Sequence, residues 1–426
     1  MRKTIYTLLF LLSIISTGYA DTARIIDSGE DALKLRMHLI ESAKEEILIS
    51  YFIFAEDNTA LEMLSLLRKK AREGVKVRVM IDDLFNDIPK DIGTHLQQEN
   101  VLIKNFNKFN FFHFGKSIKY RMHDKMFIVD QQKIIMGGRN VEDTYYGKAE
   151  KNFDDRDIYI IGSMAQEASI YFNELWDAKH LKPFKQIKLK NTKASERLDE
   201  IENNFTMKKA MDTFDLKAWE SDLPQVEHID LFRDIIAPKK QKMTGTAKRL
   251  YDLIKNAAKS VIIDSPYLII TKELHAILTE VIARGVKIRF LTNSLKSTDG
   301  LFPQAAYMSQ RKKIVDMGIE LYEYFGNDRF HSKSLVIDDE IAAIGSFNFD
   351  PRSQNLNTET MAVIHDTKLA ALLTQSMDES LKMSYRIDEN GRPTGYENKY
   401  PGVTLKKKII TKLIQFIIVP FAKGLL

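Results

Sequence analysis

The sequence contains no cysteine. Disulfides, thiolate nucleophiles and Cys-ligated zinc or iron–sulfur centres are therefore excluded. Such a chain suits an exported protein that has no need of disulfide enzymes. Glycine (19) and proline (10) are too sparse in 426 residues for a collagen-like repeat. Neither sign of charge prevails: 63 Lys and Arg against 58 Asp and Glu give +5, too weak a bias to argue nucleic-acid binding. No stretch reaches the roughly 18 uninterrupted apolar residues that a membrane span requires. With 44% hydrophobic and 28% charged residues, bulk disorder is excluded too. The length allows two or three domains, or one large pseudo-symmetric one.

The N-terminus reads as a leader. Arg2 and Lys3 precede an uncharged, mostly apolar run from Ile5 to Ile15, then Ser16-Thr17-Gly18-Tyr19-Ala20. A basic start, a short apolar stretch and small residues before a cut describe a signal peptide, here residues 1–20. The expectation is a chain exported to the periplasm or beyond the cell and starting at Asp21.

Past the leader, the chain repeats. Ala43-Lys44-Glu45-Glu46-Ile47-Leu48-Ile49-Ser50-Tyr51 has the same grammar as Ala258-Lys259-Ser260-Val261-Ile262-Ile263-Asp264-Ser265-Pro266-Tyr267. Each aliphatic run reads as a buried strand. Helix-periodic stretches follow at 57–73 and 272–284. Gly74-Val75-Lys76-Val77-Arg78-Val79 and Gly285-Val286-Lys287-Ile288-Arg289-Phe290 then supply a helix stop and a new strand. Strand–helix–strand of this length is a crossover unit in a mainly parallel or mixed sheet. The copies lie about 210 residues apart, too far for a solenoid and apt for duplicated α/β halves. We expect the halves at 21–180 and 246–390. Between them, 181–245 reads as an inserted connection with helix around Ser195–Ala210, and 391–426 follows as a tail.

The repeat carries the chemistry. His123-Asp124-Lys125, Asp130 and Gly137-Gly138-Arg139-Asn140 recur as His331-Ser332-Lys333, Asp338 and Gly345-Ser346-Phe347-Asn348. His to Lys is two positions, Lys to Asp five and Asp to Gly seven in both copies. On an extended chain, residues i and i+2 share a face, so each His projects beside its Lys. Lysine is a cation with three donors and no acceptor. It is a poor metal ligand but suits an anionic group such as phosphate. Two His, two Lys and two Asn at one centre would make a phosphodiester site. One His would attack phosphorus, and the other would protonate the leaving oxygen and then deprotonate water or an alcohol. Neither metal nor cofactor is required.

These two motifs resemble the paired HKD motifs of the phospholipase D superfamily. Further stretches resemble its bacterial cardiolipin synthase C-type branch: Arg121-Met122-His123-Asp124-Lys125, Leu291-Thr292-Asn293-Ser294-Leu295, and Gly345-Ser346-Phe347-Asn348-Phe349-Asp350-Pro351-Arg352-Ser353. The resemblance implies two pseudo-symmetric α/β/α sandwich domains with the active site at their interface. It implies that His123 and His331 are catalytic, His123 as nucleophile and His331 as acid and base. Lys125, Lys333, Asn140 and Asn348 match the phosphate-binding residues. Asp130 and Asp338 match the motif aspartates, which we expect to be structural. Glu359 matches a histidine-orienting carboxylate. Asp155 is its counterpart in the first half, with Asp157 a rival. Gly138 departs from the serine that many members carry there.

The implied substrate is a phospholipid such as phosphatidylglycerol, cleaved by water or transferred to an alcohol. A secreted metal-independent phosphodiesterase or nuclease is the alternative. The run Phe106-Asn107-Lys108-Phe109-Asn110-Phe111-Phe112-His113-Phe114-Gly115-Lys116 could touch lipid or stack bases. Lys406-Lys407-Lys408 leads into the apolar stretch 409–421, a pattern that suits lying in an anionic membrane surface.

Overall fold

The computed structural model describes residues 21–107, 120–206, 211–212, 214–234, 243–395 and 402–422. The leader at 1–20 and most of the aromatic run at 106–116 lie outside them.

The central strands are long apolar runs because they are covered on both faces. In the first half, β1 (Thr22–Ile26), β2 (Glu46–Tyr51), β3 (Lys76–Asp82), β4 (Val101–Phe106), β5 (Met126–Val129), β6 (Lys133–Gly137), β8 (Asp157–Ile161) and β9 (Leu181–Pro183) form one sheet, ordered β1-β8-β6-β5-β2-β3-β4-β9. A short β7 (Phe153–Asp154) lies outside it. In the second half, β10 (His228–Arg233), β11 (Ser260–Asp264), β12 (Lys287–Asn293), β13 (Glu320–Tyr324), β15 (Ser334–Ile337), β16 (Ile341–Gly345), β17 (Thr360–His365) and β18 (Ser384–Arg386) repeat that order as β10-β17-β16-β15-β11-β12-β13-β18. Every strand of one sheet thus has its counterpart in the other. β2 pairs parallel with β3 and antiparallel with β5, and β11 does the same with β12 and β15.

The crossover helices start and stop as the sequence signals. Asp57 caps Asn58–Arg72 by accepting from Ala60 N, and Thr271 caps Lys272–Ala283 by accepting from Leu274 N. Gly74 and Gly285 follow with φ of +95° and +89°, the left-handed stop that glycine adopts without a Cβ clash.

A shared core joins the halves. Ile128, Ile134, Met136, Ile158 and Ile160 of the first sheet pack with Val336, Ala342, Ile344, Ala362 and Ile364 of the second. The helices Ser163–Trp176 and Thr367–Leu381 add Phe172, Leu175, Leu373 and Met377 to it. Each half keeps a separate core on the other face of its sheet. The segment 181–245 is not separate from these layers: β9 edges the first sheet and β10 the second, with helices Lys193–Asn203 and Leu216–Ser221 between. Lys193–Asn203 packs on the first half, where Ala194 and Leu198 enter the core and Asp199 pairs with Arg68 at 2.5 Å.

Candidate active site

The two motif segments leave their own halves to pair with the opposite one. Thr358 N donates to Arg121 O at 3.0 Å, and His123 N donates to Thr358 O at 3.0 Å. Symmetrically, β14 (Arg329–Phe330) pairs parallel with β7, and His331 N donates to Asp154 O at 2.7 Å. The residue after each partner strand position is a carboxylate. The sites are therefore crossed. His123 Nδ1 lies 2.8 and 3.0 Å from the Glu359 carboxylate, and His331 Nδ1 lies 2.5 Å from Asp155 Oδ2. A carboxylate only accepts, so Nδ1–H donates in both pairs and each Nε2 is left to take or give a proton. Lys333 Nζ also comes within 2.8 Å of His331 Nδ1. That nitrogen's single proton is already directed at Asp155, so the lysine acts there as a charge.

Asp155 is thereby distinguished from Asp157. Asp157 pairs with Arg36 at 2.8 Å and Arg139 at 3.3 Å, deep beside the first sheet. Asp155 Oδ1 accepts from Arg156 N at 2.8 Å, while Arg139 donates to its carbonyl. Glu359 accepts from Ser346 Oγ at 2.5 Å, Ser353 Oγ at 2.6 Å and Asn357 Nδ2 at 3.3 Å besides His123. Both carboxylates are fully buried.

The lysines sit immediately before their strands. Lys125 Nζ donates to His123 O at 2.9 Å, and Lys333 Nζ donates to His331 O. Asn140 Nδ2 donates to Tyr145 Oη at 2.9 Å and its Oδ1 accepts from Ile53 N, leaving one of its two N–H groups for another acceptor. Asn348 Oδ1 is buried with no partner among the described residues.

The motif aspartates stand away from the histidines. Asp130 accepts from the backbone N–H of Lys44, Glu45 and Glu46, and Asp338 from Ala258, Lys259 and Ser260. Both occupy positive-φ turns, at +51° and +55°. They clamp the β5–β6 and β15–β16 hairpins to the starts of β2 and β11, which is a structural role.

Burial and like charge set the electrostatics. Burial, with Lys125, Lys333 and His331 nearby, holds His123 well below 6.5. Burial and Lys333 also lower His331, against which Asp155 acts. Burial would raise Asp155, but Lys333 and His331 outweigh it and hold it at about 2. Burial pushes Lys333 down to about 8. In the coupled pair, burial pushes Lys125 down and Glu359 up. His123 feels the charges of Lys125, Lys333 and His331, so the two motifs bear on one another electrostatically.

Aromatic walls were missed in the sequence. Phe52 meets the His123 ring edge-on at 4.9 Å. Tyr145 and Phe153, stacked at 4.4 Å, lie 5.4 and 5.0 Å from the His331 ring, with Tyr267 at 6.4 Å. The recurring aromatic after each central strand, near Tyr51 and at Tyr267, was the available signal.

Comparison with known proteins agrees with this geometry. Residues 37–176 and 250–381 match the family described as cardiolipin synthase, PLD-like domain. Cardiolipin synthase C of Escherichia coli K12 is 29% identical over 451 residues, covering 92% of this chain and 94% of the relative. Cardiolipin synthase 2 of Bacillus cereus is 26% identical, covering 91% of this chain and 70% of the relative. Phosphatidylserine synthase of Haemophilus influenzae Rd KW20 has the same fold, with a TM-score of 0.72 at 16% identity and 95% of each chain covered. The duplicated sheets, the crossed histidine–carboxylate pairs and the family match over both halves lead to one assignment: the chain belongs to the phospholipase D superfamily, in its cardiolipin synthase family.

Proposed function

We propose that the chain is a phosphatidyltransferase that acts on phosphatidylglycerol through a phosphohistidine. The observation that carries this reading is the pair of buried histidines, each fixed by a carboxylate of the opposite half, with Lys125 and Lys333 each bonded to the carbonyl of its own motif histidine. His123, kept unprotonated by burial and by the charges of Lys125 and Lys333, presents the Nε2 lone pair as nucleophile. The ionised Asp155 opposes the burial and the Lys333 charge that lower His331, so of the two histidines His331 is the more readily protonated.

Attack by His123 Nε2 forms a P–N bond as the P–O bond to the head-group glycerol breaks. The His331 Nε2 proton passes to the leaving oxygen. Neutral His331 then takes the proton of an incoming hydroxyl, whose oxygen bonds phosphorus and releases His123. Lys125, Lys333 and the Asn140 and Asn348 amides would hold the phosphoryl oxygens, where negative charge increases. A second phosphatidylglycerol as acceptor yields cardiolipin; water yields phosphatidic acid. This chemistry is shared with a nuclease, but the relatives named above are lipid synthases.

The test is lipid mass spectrometry after incubation with phosphatidylglycerol vesicles, beside His123→Ala. Cardiolipin with free glycerol, absent in the variant, is expected. Phosphatidic acid alone would make water the acceptor, and no turnover on any phospholipid would overturn the reading. Unaltered protein, denatured mid-reaction, should retain phosphatidyl on His123, and His123→Ala should retain none. We also propose that residues 1–20 direct export. A periplasmic or secreted form beginning at Asp21 supports that, and a cytosolic form retaining Met1 opposes it.

A further inference from the structure

The carboxyl-terminal helix has one face that the fold uses and one that it does not. Leu405–Leu413 is α-helical, Ile414–Ile418 continues as a π turn and Val419–Ala422 returns to α. Toward the body, Val419 is buried with Ile269, Ala305 and Ala306, and Ile414 packs against them. Away from it, Leu405 and Phe416 are each 73% exposed, and Ile409, Leu413, Ile417 and Ile418 are 46–59% exposed. Positions 405, 409, 413 and 416 recur at helical spacing and form a single stripe. Six large apolar side chains on one helix are a patch and not scattered singles. No helix among the described residues is long and apolar enough to cross a membrane.

Charge is as one-sided as apolarity. Residues 402–422 include Lys406, Lys407, Lys408 and Lys412 and no Asp or Glu. Lys407 reaches inward and donates to Thr298 O at 3.2 Å. There it meets cations of both halves. Lys151 donates to Lys296 O at 3.4 Å, Arg329 to Lys151 O at 3.3 Å and Lys296 to Phe325 O at 2.9 Å. All four cations are held by carbonyl oxygens, which leave their charge uncancelled. This cluster flanks the His331 side of the site. Arg329 stands 5.2 Å over the Phe153 ring, which is itself 5.0 Å from the His331 ring.

We propose that the exposed face of this helix, flanked along the same helix by Lys406, Lys408 and Lys412, seats the protein on an anionic phospholipid bilayer. This deepens the phosphatidyltransferase reading and rests on it for the choice of lipid. Two complementarities select the occupant. The apolar stripe fits the acyl boundary, and the cations fit head-group phosphates. A second copy of the chain fits less well. A two-fold interface would set the lysines of one copy against those of the other.

The experiment measures binding apart from turnover. The His123→Ala protein, which leaves the lipid unchanged, is sedimented with vesicles of phosphatidylglycerol and phosphatidylcholine, and with pure phosphatidylcholine. Retention should fall about tenfold or more without the anionic lipid. Leu413→Glu with Phe416→Glu should lower retention about tenfold on the mixed vesicles. Lys406→Gln, Lys408→Gln and Lys412→Gln together should lower it and flatten its dependence on salt. Unchanged thermal unfolding would show that the variants are folded, and the two variant sets read the apolar and charged contributions independently. Undiminished retention in both sets would overturn the proposal. So would a chain that ignores vesicles and forms a dimer that the Leu413 and Phe416 changes dissociate. Anionic-selective binding by a wild-type protein that turns over no phospholipid would support the docking face while refuting the catalytic reading.

Discussion

Gly138 and Asp155 occupy one another's space: a Cβ built on Gly138 would lie 2.0 Å from Asp155 Oδ1. The same motif position in the second half is Ser346, whose hydroxyl donates to Glu359 at 2.5 Å. Each half thus makes a matched choice. In the first half the carboxylate fills the space that a side chain at the glycine would need, and in the second a hydroxyl at that position donates to the carboxylate.

Gly138→Ser, which would make the two motifs more alike, should therefore damage the site. The serine must displace Asp155 and with it His331. A shift of about 1 Å in a positioned group can cost about 100-fold, so kcat should fall about 10- to 100-fold with KM changed little. Adding Asp155→Glu should recover part of the loss. A double-mutant cycle reads the coupling. If the two changes act independently, the matched-pair account is wrong.

Asp155 and Asp157 should fail in different ways. Asp155→Asn keeps the shape but removes the charge that supports the His331 imidazolium. We expect kcat to fall about 10²- to 10⁴-fold with the fold intact. Asp157→Asn instead breaks buried pairs with Arg36 and Arg139. That should cost about 3–5 kcal/mol of stability, seen as a lower denaturation midpoint. Activity per folded molecule should stay near the parent's. Equal loss of turnover in both variants, at unchanged stability, would refute the division.

Asp338 makes a third kind of prediction. It accepts three backbone N–H groups at 2.6–2.8 Å while its own φ is +55°. Asparagine tolerates that φ but offers one acceptor oxygen instead of two. Asp338→Asn should lower stability by about 1–2 kcal/mol and leave kcat unchanged. A drop in kcat without a drop in urea midpoint would place Asp338 in the chemistry after all.

Much of this architecture was legible because duplication prints each feature twice. The β2 and β11 runs, the helices after them and the stops at Gly74 and Gly285 could be read from pattern alone. The crossing was not. Glu359 follows His331 in sequence, and Asp155 follows His123, so sequence order suggests pairs within each half. Only the pairing of His123 with Thr358, and of His331 with Asp154, carries each carboxylate across. β9 and β10 were hidden for another reason. Leu181-Lys182-Pro183 is too short to show a period, and His228–Arg233 is an edge strand that mixes polar with apolar residues. The buried Arg139 sits where the second motif has Phe347, and nothing in its neighbours' spacing marks it as the brace of Asp155.

Lys333 should set the alkaline limit of the reaction. Its charged form is the useful one, and burial lowers its pKa from 10.5 to about 8 against the opposing pull of Asp155, Asp299 and Glu359. Below that value the cation is present; as pH rises through it, the proton leaves and the hold on phosphate weakens. The free enzyme governs kcat/KM, so a limb near pH 8 should belong to Lys333 and lie above the losses that deprotonation of His331 and Lys125 bring at lower pH. His123 is held well below 6.5, so its protonation should cause no loss until well below that pH. A bound phosphate anion favours the charged lysine, so the limb in kcat should lie at higher pH than the limb in kcat/KM. Lys333→Arg keeps a positive charge at every accessible pH. It should start lower at neutral pH, because the wider guanidinium fits a lysine site poorly, yet lose the limb near 8. A soluble short-chain phosphatidylglycerol, with circular dichroism at each pH to verify the fold, supplies the profile. A limb that persists unchanged in Lys333→Arg would move the assignment to the Lys125–Glu359 pair.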